Sequence, residues 1–164
     1  MQHLTTRMRT NVRRSLKLGL DAEFDKQEYL GDFYHVFYLK MRELGTPVYS
    51  LKFFEVIFEY FPEETFIYRI RHAEKMVSAA FLTGYRHSIE ANWSASSPKA
   101  MNLRPNMFLF WQMLCFAGQK SYRVFDFGRS PVDSGPINSS NSGTHVWSRS
   151  TGTTGTHPAN KLWS

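Results

Sequence analysis

The feature that most constrains this chain is a change of hydrophobic period near Pro62. Before it, Tyr29, Leu30, Phe33, Phe37, Met41 and Leu44 recur at three- and four-residue steps, as do Phe53, Phe54, Ile57, Phe58 and Phe61. After it the step falls to two, in TFIYRIR (Thr65–Arg71) and MVSAAFLTGY (Met76–Tyr85). A helix repeats every 3.6 residues and a strand every two, so helices must give way to a sheet here. The spacing predicts helices over Thr5–Leu18, Glu28–Leu44, from Ser50 to Phe61 and over Met107–Gly118. It predicts strands over Thr65–Arg71, Met76–Tyr85, Ser88–Ser94 and Tyr122–Phe127, with a short candidate at Asp21–Phe24. The first two full strands join through the polar turn His72-Ala73-Glu74-Lys75. This order reads as an α/β chain whose sheet is covered by helices.

Composition narrows the function classes. A chain of 164 residues suits one domain, and 14 Phe, 8 Tyr and 4 Trp make its core aromatic. The single cysteine, Cys115, rules out an internal disulfide or a Cys-built zinc site. Within an apolar helix it is expected to be inert. The six histidines lack ligand spacing, so no metal is expected. No secretory signal and no apolar run of about 18–20 residues is present, which reads as soluble and cytoplasmic. The net charge of +6 is concentrated in Arg7, Arg9, Arg13, Arg14 and Lys17, with no acid before Asp21. That run is either a solvated helix face or a contact for RNA or phosphate, which would make the chain a nucleic-acid-binding module. From Pro136 onward no amphipathic period survives, and the Ser-, Thr- and Gly-rich stretch Ile137–Ser164 reads as disordered.

Three segments carry a resemblance: MRELGTPVY (Met41–Tyr49), Arg104-Pro105-Asn106-Met107, and FDFGRS (Phe125–Ser130). Together they resemble the FemAB-like proteins associated with exosortase/PEP-CTERM systems, within the GNAT acetyltransferase superfamily, over roughly Arg7 to Gly135. The resemblance implies a GNAT-like fold, a mixed sheet flanked by helices, incomplete at its C-terminus. It implies transfer of an acyl or aminoacyl group, from acyl-CoA or aminoacyl-tRNA, to an amine on a cell-envelope or exopolysaccharide precursor. Such proteins carry two GNAT-like halves, and this sequence resembles the second. The expected division is a basic lead-in helix over 1–20, the acyltransferase domain over 21–135 and an atypical tail over 136–164, with the first half missing as a partner. Reading Ile137–Trp163 one base earlier, with free choice of synonymous codons, permits YKFKQQWDARLVPLHWYYWNPPGKQTVV, which resembles the ending of the family. The tail is therefore expected to be frameshifted sequence, and an inactive gene fragment is one reading of the chain.

The resemblance puts the acyl-donor strand at Met76–Tyr85, where Ser78, Ala79 and Ala80 permit close backbone approach. A strand packed under a helix needs small residues for the same reason. The glycine-rich pyrophosphate loop of ordinary acetyl-CoA-binding relatives is absent, since Tyr85-Arg86-His87 follow Gly84. In FDFGRS, alternation turns Asp126 away from Phe125 and Phe127, and Gly128 lets the chain turn so that Asp126 and Arg129 converge. They can act on an amine and on an anionic group, or simply pair with each other. The catalytic candidates are Asp126, Arg129 and Ser130. Glu90, Asn92, Trp93 and Ser134 are the substrate-binding candidates, with Glu90 and Asn92 alternating with Trp93 along their strand. Pro105 is expected to open a helix that Asn106 caps.

Overall fold

The computed structural model describes residues 6–25, 27–129 and 144–148. Its elements are α1 (Thr6–Lys17), β1 (Leu20–Asp25), α2 (Leu30–Glu43), α3 (Leu51–Tyr60), β2 (Thr65–His72), β3 (Lys75–Tyr85), β4 (Ser88–Ser96), α4 (Pro105–Gln119), β5 (Val124–Arg129) and β6 (Thr144–Ser148). The strands form one six-stranded sheet in the order β1-β2-β3-β4-β5-β6. Neighbours are antiparallel except β4 and β5, which are parallel, so the sheet is mixed.

Helices cover both faces. On one, α1 and α4 pack Val12, Phe108, Leu109, Met113 and Phe116 onto Ile70, Leu82, Ile89 and Phe125. On the other, α2 and α3 pack Phe33, Phe37, Phe54 and Phe58 onto Ile67, Ala79 and Phe81. The spacing of apolar residues sets these layers, because each helix buries the stripe that recurs every three or four residues. The basic lead-in helix thus shares the core of the sheet through Val12.

Local signals fix the ends of the elements. The Ser50 hydroxyl accepts from the Phe53 N–H at 3.3 Å and caps α3. The β2–β3 hairpin turns through Ala73 and Glu74, both left-handed with φ of 46° and 66°, as a tight two-residue hairpin requires.

Two expectations need correction. Asn106 does not cap α4: the N-cap is Arg104, left-handed and without a side-chain capping bond, while the Asn106 carboxamide oxygen accepts from the Ser96 hydroxyl. The sheet end of β4 supplied a closer partner than the open first turn did. Within the tail read as disordered, Thr144–Ser148 forms β6 and pairs with β5. Thr144, Val146 and Trp147 suit a strand, and the free edge of β5 supplies the hydrogen bonds. The rest of the tail lies outside the described residues.

Candidate functional site

The parallel pair β4–β5 is where the sheet opens. It is held at Ser88–Val124, Ile89–Phe125 and Glu90–Asp126. Beyond Glu90, β4 runs six further residues to Ser96 with no strand partner on that side among the described residues. Gly128 stands at the parting. It is left-handed (φ 72°), and a Cβ there would lie 3.2 Å from the Ala91 carbonyl oxygen. A larger residue could neither adopt this turn easily nor pass β4 so closely.

A bulge decides which side chains face the opening. Phe81 pairs with Trp93 but Leu82 pairs with Ala91, so Asn92 is an extra residue in β4. Strict alternation would send Trp93 to the face opposite Glu90 and Asn92. Instead Ile89 and Ala91 join the α1–α4 core, while Trp93 and Ala95 join the α2–α3 core. Glu90, Asn92 and Trp93 therefore share the α2–α3 face, together with Asp126, which points away from the buried Phe125. Trp93 packs edge-on to Phe54 (5.2 Å between centroids), Phe53 (5.7 Å) and Tyr49 (5.9 Å). Tyr49 and Phe53 are themselves partly exposed, so they form an aromatic wall at the start of α3, one from the loop before it and one from its first turn.

Asp126 and Glu90 are cross-strand neighbours. One Asp126 carboxylate oxygen accepts from the Gly128 N–H at 2.8 Å, which ties the acid to the turn that opens the sheet. Partial burial raises the Glu90 carboxyl above its ordinary range, and the Asp126 charge adds to this; hydrogen bonding from Asn92 works the other way. The Asn92 carboxamide oxygen accepts from the Thr83 hydroxyl at 2.7 Å.

The small residues expected to meet a donor lie inside the sheet. Ser78, Ala79 and Ala80 are fully buried, and from Ser78 to Thr83 β3 is paired on both edges. Their small size serves packing: the Ser78 hydroxyl donates to the Ala95 carbonyl at 3.0 Å and lies 2.6 Å from the Ser96 hydroxyl. Free backbone groups belong instead to β4 past Glu90. The segment that follows this open edge is Ser97–Arg104, not Tyr85–His87, which make the β3–β4 turn; it too lacks glycine. Through Ser96 and Asn106 the first turn of α4 is fastened to the end of β4, with no acidic residue in it. Arg104 adds a guanidinium there, bonded to Asn11 of α1 at 2.8 Å.

Of the other candidates, Arg129 closes β5, while its side chain, Ser130 and Ser134 lie outside the described residues. On α1, Arg13, Arg14 and Lys17 are exposed and Arg9 is half-buried. Among the described residues no group of three or more metal-ligating side chains occurs, and no helix is long and apolar enough to cross a membrane. Sequence reasoning missed Thr83, Gly128's approach to β4 and the Tyr49–Phe53 wall. The first two depend on strand register, which no local pattern in the chain records.

A mixed sheet that parts between two parallel strands, with a helix starting at the parting, has a counterpart among known domains. The family model described as "Acetyltransferase (GNAT) domain" matches residues 6–135. The chain belongs to the GNAT acetyltransferase domain family. Solved structures share the fold at low identity. FemX superposes with a TM-score of 0.71 at 15% identity, over 88% of this chain and 55% of that one. The C-terminal domain (DUF2156) of a putative lysylphosphatidylglycerol synthetase from Agrobacterium fabrum gives 0.60 at 16%, over 77% of this chain and 41% of that one. The ribosomal-protein-S18-alanine N-acetyltransferase from Escherichia coli gives 0.55 at 13%, over 70% and 71%. This GNAT chain thus spans about half of the FemX structure and two fifths of the synthetase structure. No curated protein matches its sequence.

Proposed function

We propose that this domain transfers an acyl or aminoacyl group to an amine, with Glu90 and Asp126 receiving the amine's proton. The observation that carries the reading is the coincidence of two features: β4 and β5 separate immediately after Glu90 and Asp126, and both carboxylates stand on one face at that point. The donor's chain lies along the unpaired edge of β4 from Ala91 to Ser96, where backbone groups are free to bond it. Its phosphates lie toward the uncapped first turn of α4 and Arg104. The acceptor enters from the α2–α3 face along Trp93, Phe53 and Tyr49.

In the reaction the amine nitrogen attacks the acyl carbonyl carbon. A C–N bond forms, the bond from that carbon to the donor's sulfur or oxygen breaks, and the nitrogen's surplus proton passes to the carboxylate pair. Glu90 suits the proton-accepting role, because a raised carboxyl lies closer to neutral pH. Asp126, held by the Gly128 N–H, supplies the fixed negative charge beside it. Arg129, the last residue of β5, is assigned to an anionic group of either substrate. Ser130 and Ser134 extend this reading along the chain after β5, as catalytic and substrate-binding residues.

An amine on a cell-envelope or exopolysaccharide precursor is the acceptor this reading favours, since FemX and a putative lysylphosphatidylglycerol synthetase share the fold. The exposed Arg13, Arg14 and Lys17 on α1 favour a polyanionic donor such as aminoacyl-tRNA over acyl-CoA. Calorimetric titration of the chain with acetyl-CoA and, separately, with an aminoacylated tRNA tests the reading. Binding of the tRNA that weakens steeply with salt is the expected result, and binding of acetyl-CoA alone would reassign the donor. Binding of neither would overturn the reading and leave an inactive chain.

A further inference from the structure

We propose that Thr83 and Asn92 are positioning residues for Glu90: the threonine hydroxyl fixes which way round the Asn92 carboxamide sits, and the carboxamide holds the carboxylate at the opening. This rests on the reading of Glu90 given above, but its geometry stands apart from any substrate.

The argument begins with register. Thr65 pairs with Thr83, Thr83 with Glu90, and Glu90 with Asp126, so four polar residues lie in one line across β2, β3, β4 and β5. All four face α2 and α3, in a sheet whose neighbouring positions on that face are Ile67, Ala79 and Phe81. A line of polar groups beside an aromatic core is costly unless the groups satisfy one another. The bulge makes this possible, because it adds Asn92 to the line without displacing Trp93 from the core.

An asparagine carboxamide has an accepting end and a donating end, and a flip exchanges them. Here the Thr83 hydroxyl donates to Oδ1 at 2.7 Å. With the oxygen engaged toward β3, the amino end is the one left for Glu90. A carboxylate is held by a donor and repelled by a carbonyl oxygen, so the hydroxyl on β3 decides the sign of the interaction on β4. Thr65 forms the buried end of the line. Its hydroxyl is fully buried and has no partner among the described residues. The Thr83 hydroxyl commits its hydrogen to Asn92 rather than to Thr65, its partner in register.

Glu90 meets few other groups that would obscure the effect. From β5 it faces the charged Asp126, and from β3 the neutral Thr83. Tyr85 follows at the end of β3, with the Arg86 guanidinium 5.2 Å from its ring centroid. Asp126 raises Glu90 and Asn92 lowers it, so removing the amide donor leaves the repulsion unopposed.

The test is a titration of the carboxyl carbons of glutamate-labelled protein by NMR, with Glu90 assigned by loss of its signal in Glu90→Gln. Thr83→Val keeps the shape of the side chain and deletes the hydroxyl; Asn92→Leu keeps its size and deletes the donor without adding a charge. Both are expected to move the Glu90 midpoint upward, whereas Thr83→Ser keeps it at the native value. Should Thr83→Val fail to fold, Asn92→Leu alone decides. An unmoved Glu90 midpoint in a folded Thr83→Val or Asn92→Leu variant would overturn the proposal. Neither donor nor acceptor is needed, so a failure here is separate from a failure of the acyl-transfer reading.

Discussion

Gly84 shows how one residue can be required by a neighbour far along the chain. It is buried near the end of β3, and its N–H donates to the Glu64 carbonyl at 2.7 Å. A Cβ at this position would lie 2.2 Å from the Tyr122 hydroxyl oxygen and 2.8 Å from its ring carbon. The tyrosine thus occupies the space that a side chain would need. Its own hydroxyl is raised by burial and by the Glu64 charge, so it stays neutral at physiological pH. Gly84→Ala is expected to destabilise the fold by about 1–3 kcal/mol, the usual cost of overpacking a filled site. Urea unfolding measures this. Because the obstructing atoms belong to a side chain, the penalty should fall by about 1 kcal/mol in a Tyr122→Ala background. An equal penalty in both backgrounds would mean that Tyr122 does not fill this space.

Between elements, the firmest polar link is Arg69 on β2. Its guanidinium reaches Glu23 on β1 at 2.6 Å and Asp32 on α2 at 2.6 Å, and lies 3.4 Å from the centroid of the Tyr29 ring. Burial works against its charge, but the bonds to Glu23 and Asp32 outweigh this and raise it. Glu23 also meets Arg71, so the acid is shared between two cations. Three elements that differ widely in sequence position are thereby locked at the edge of the sheet. Arg69→Met is expected to cost about 2 kcal/mol, the scale of hydrogen bonds to charged groups in a partly exposed setting. Arg69→Lys should recover less than half, because an ammonium cannot serve two carboxylates and a ring with one planar fork. Full recovery by lysine, read from the same unfolding curves, would show that charge alone matters.

On the scale of the whole molecule, α4 is the element on which the proposed donor site depends. It buries Phe108, Leu109, Met113, Phe116 and Ala117 against the sheet, and its first turn is tied to β4 through Asn106 and Ser96. Cys115 reports on that seating. It is half-buried, and burial pushes its thiol up to about 11 from an ordinary 9.0. A rise of this size leaves on the order of a hundredfold less thiolate at mildly alkaline pH, and thiolate is the reactive form. Alkylation of the native chain is therefore expected to be slower than that of the urea-unfolded chain by at least that order. Equal rates would mean that α4 is not held against the sheet.

Much of this architecture is written locally. The step of three or four residues in Phe33, Phe37 and Met41, the Ser50 cap and the step of two in β2 and β3 are properties of short segments, and they define the helices and most strands. Asp126 and Glu90 stood out for the same reason, as acids among apolar strand residues. What the chain could not record is register. Alternation alone puts Trp93 opposite Asn92, and only pairing with β3 reveals the bulge that brings both to one face. Small residues mark Ser78, Ala79 and Ala80 as places of close approach, but a strand partner approaches as closely as a ligand does, and here β2 and β4 are the partners. The sequence by itself determined which segments are helix and strand, because period and capping act over a few residues. Which strand edge stays open, and which polar groups meet there, was decided by tertiary structure, because hydrogen bonds between strands join residues that the chain holds far apart.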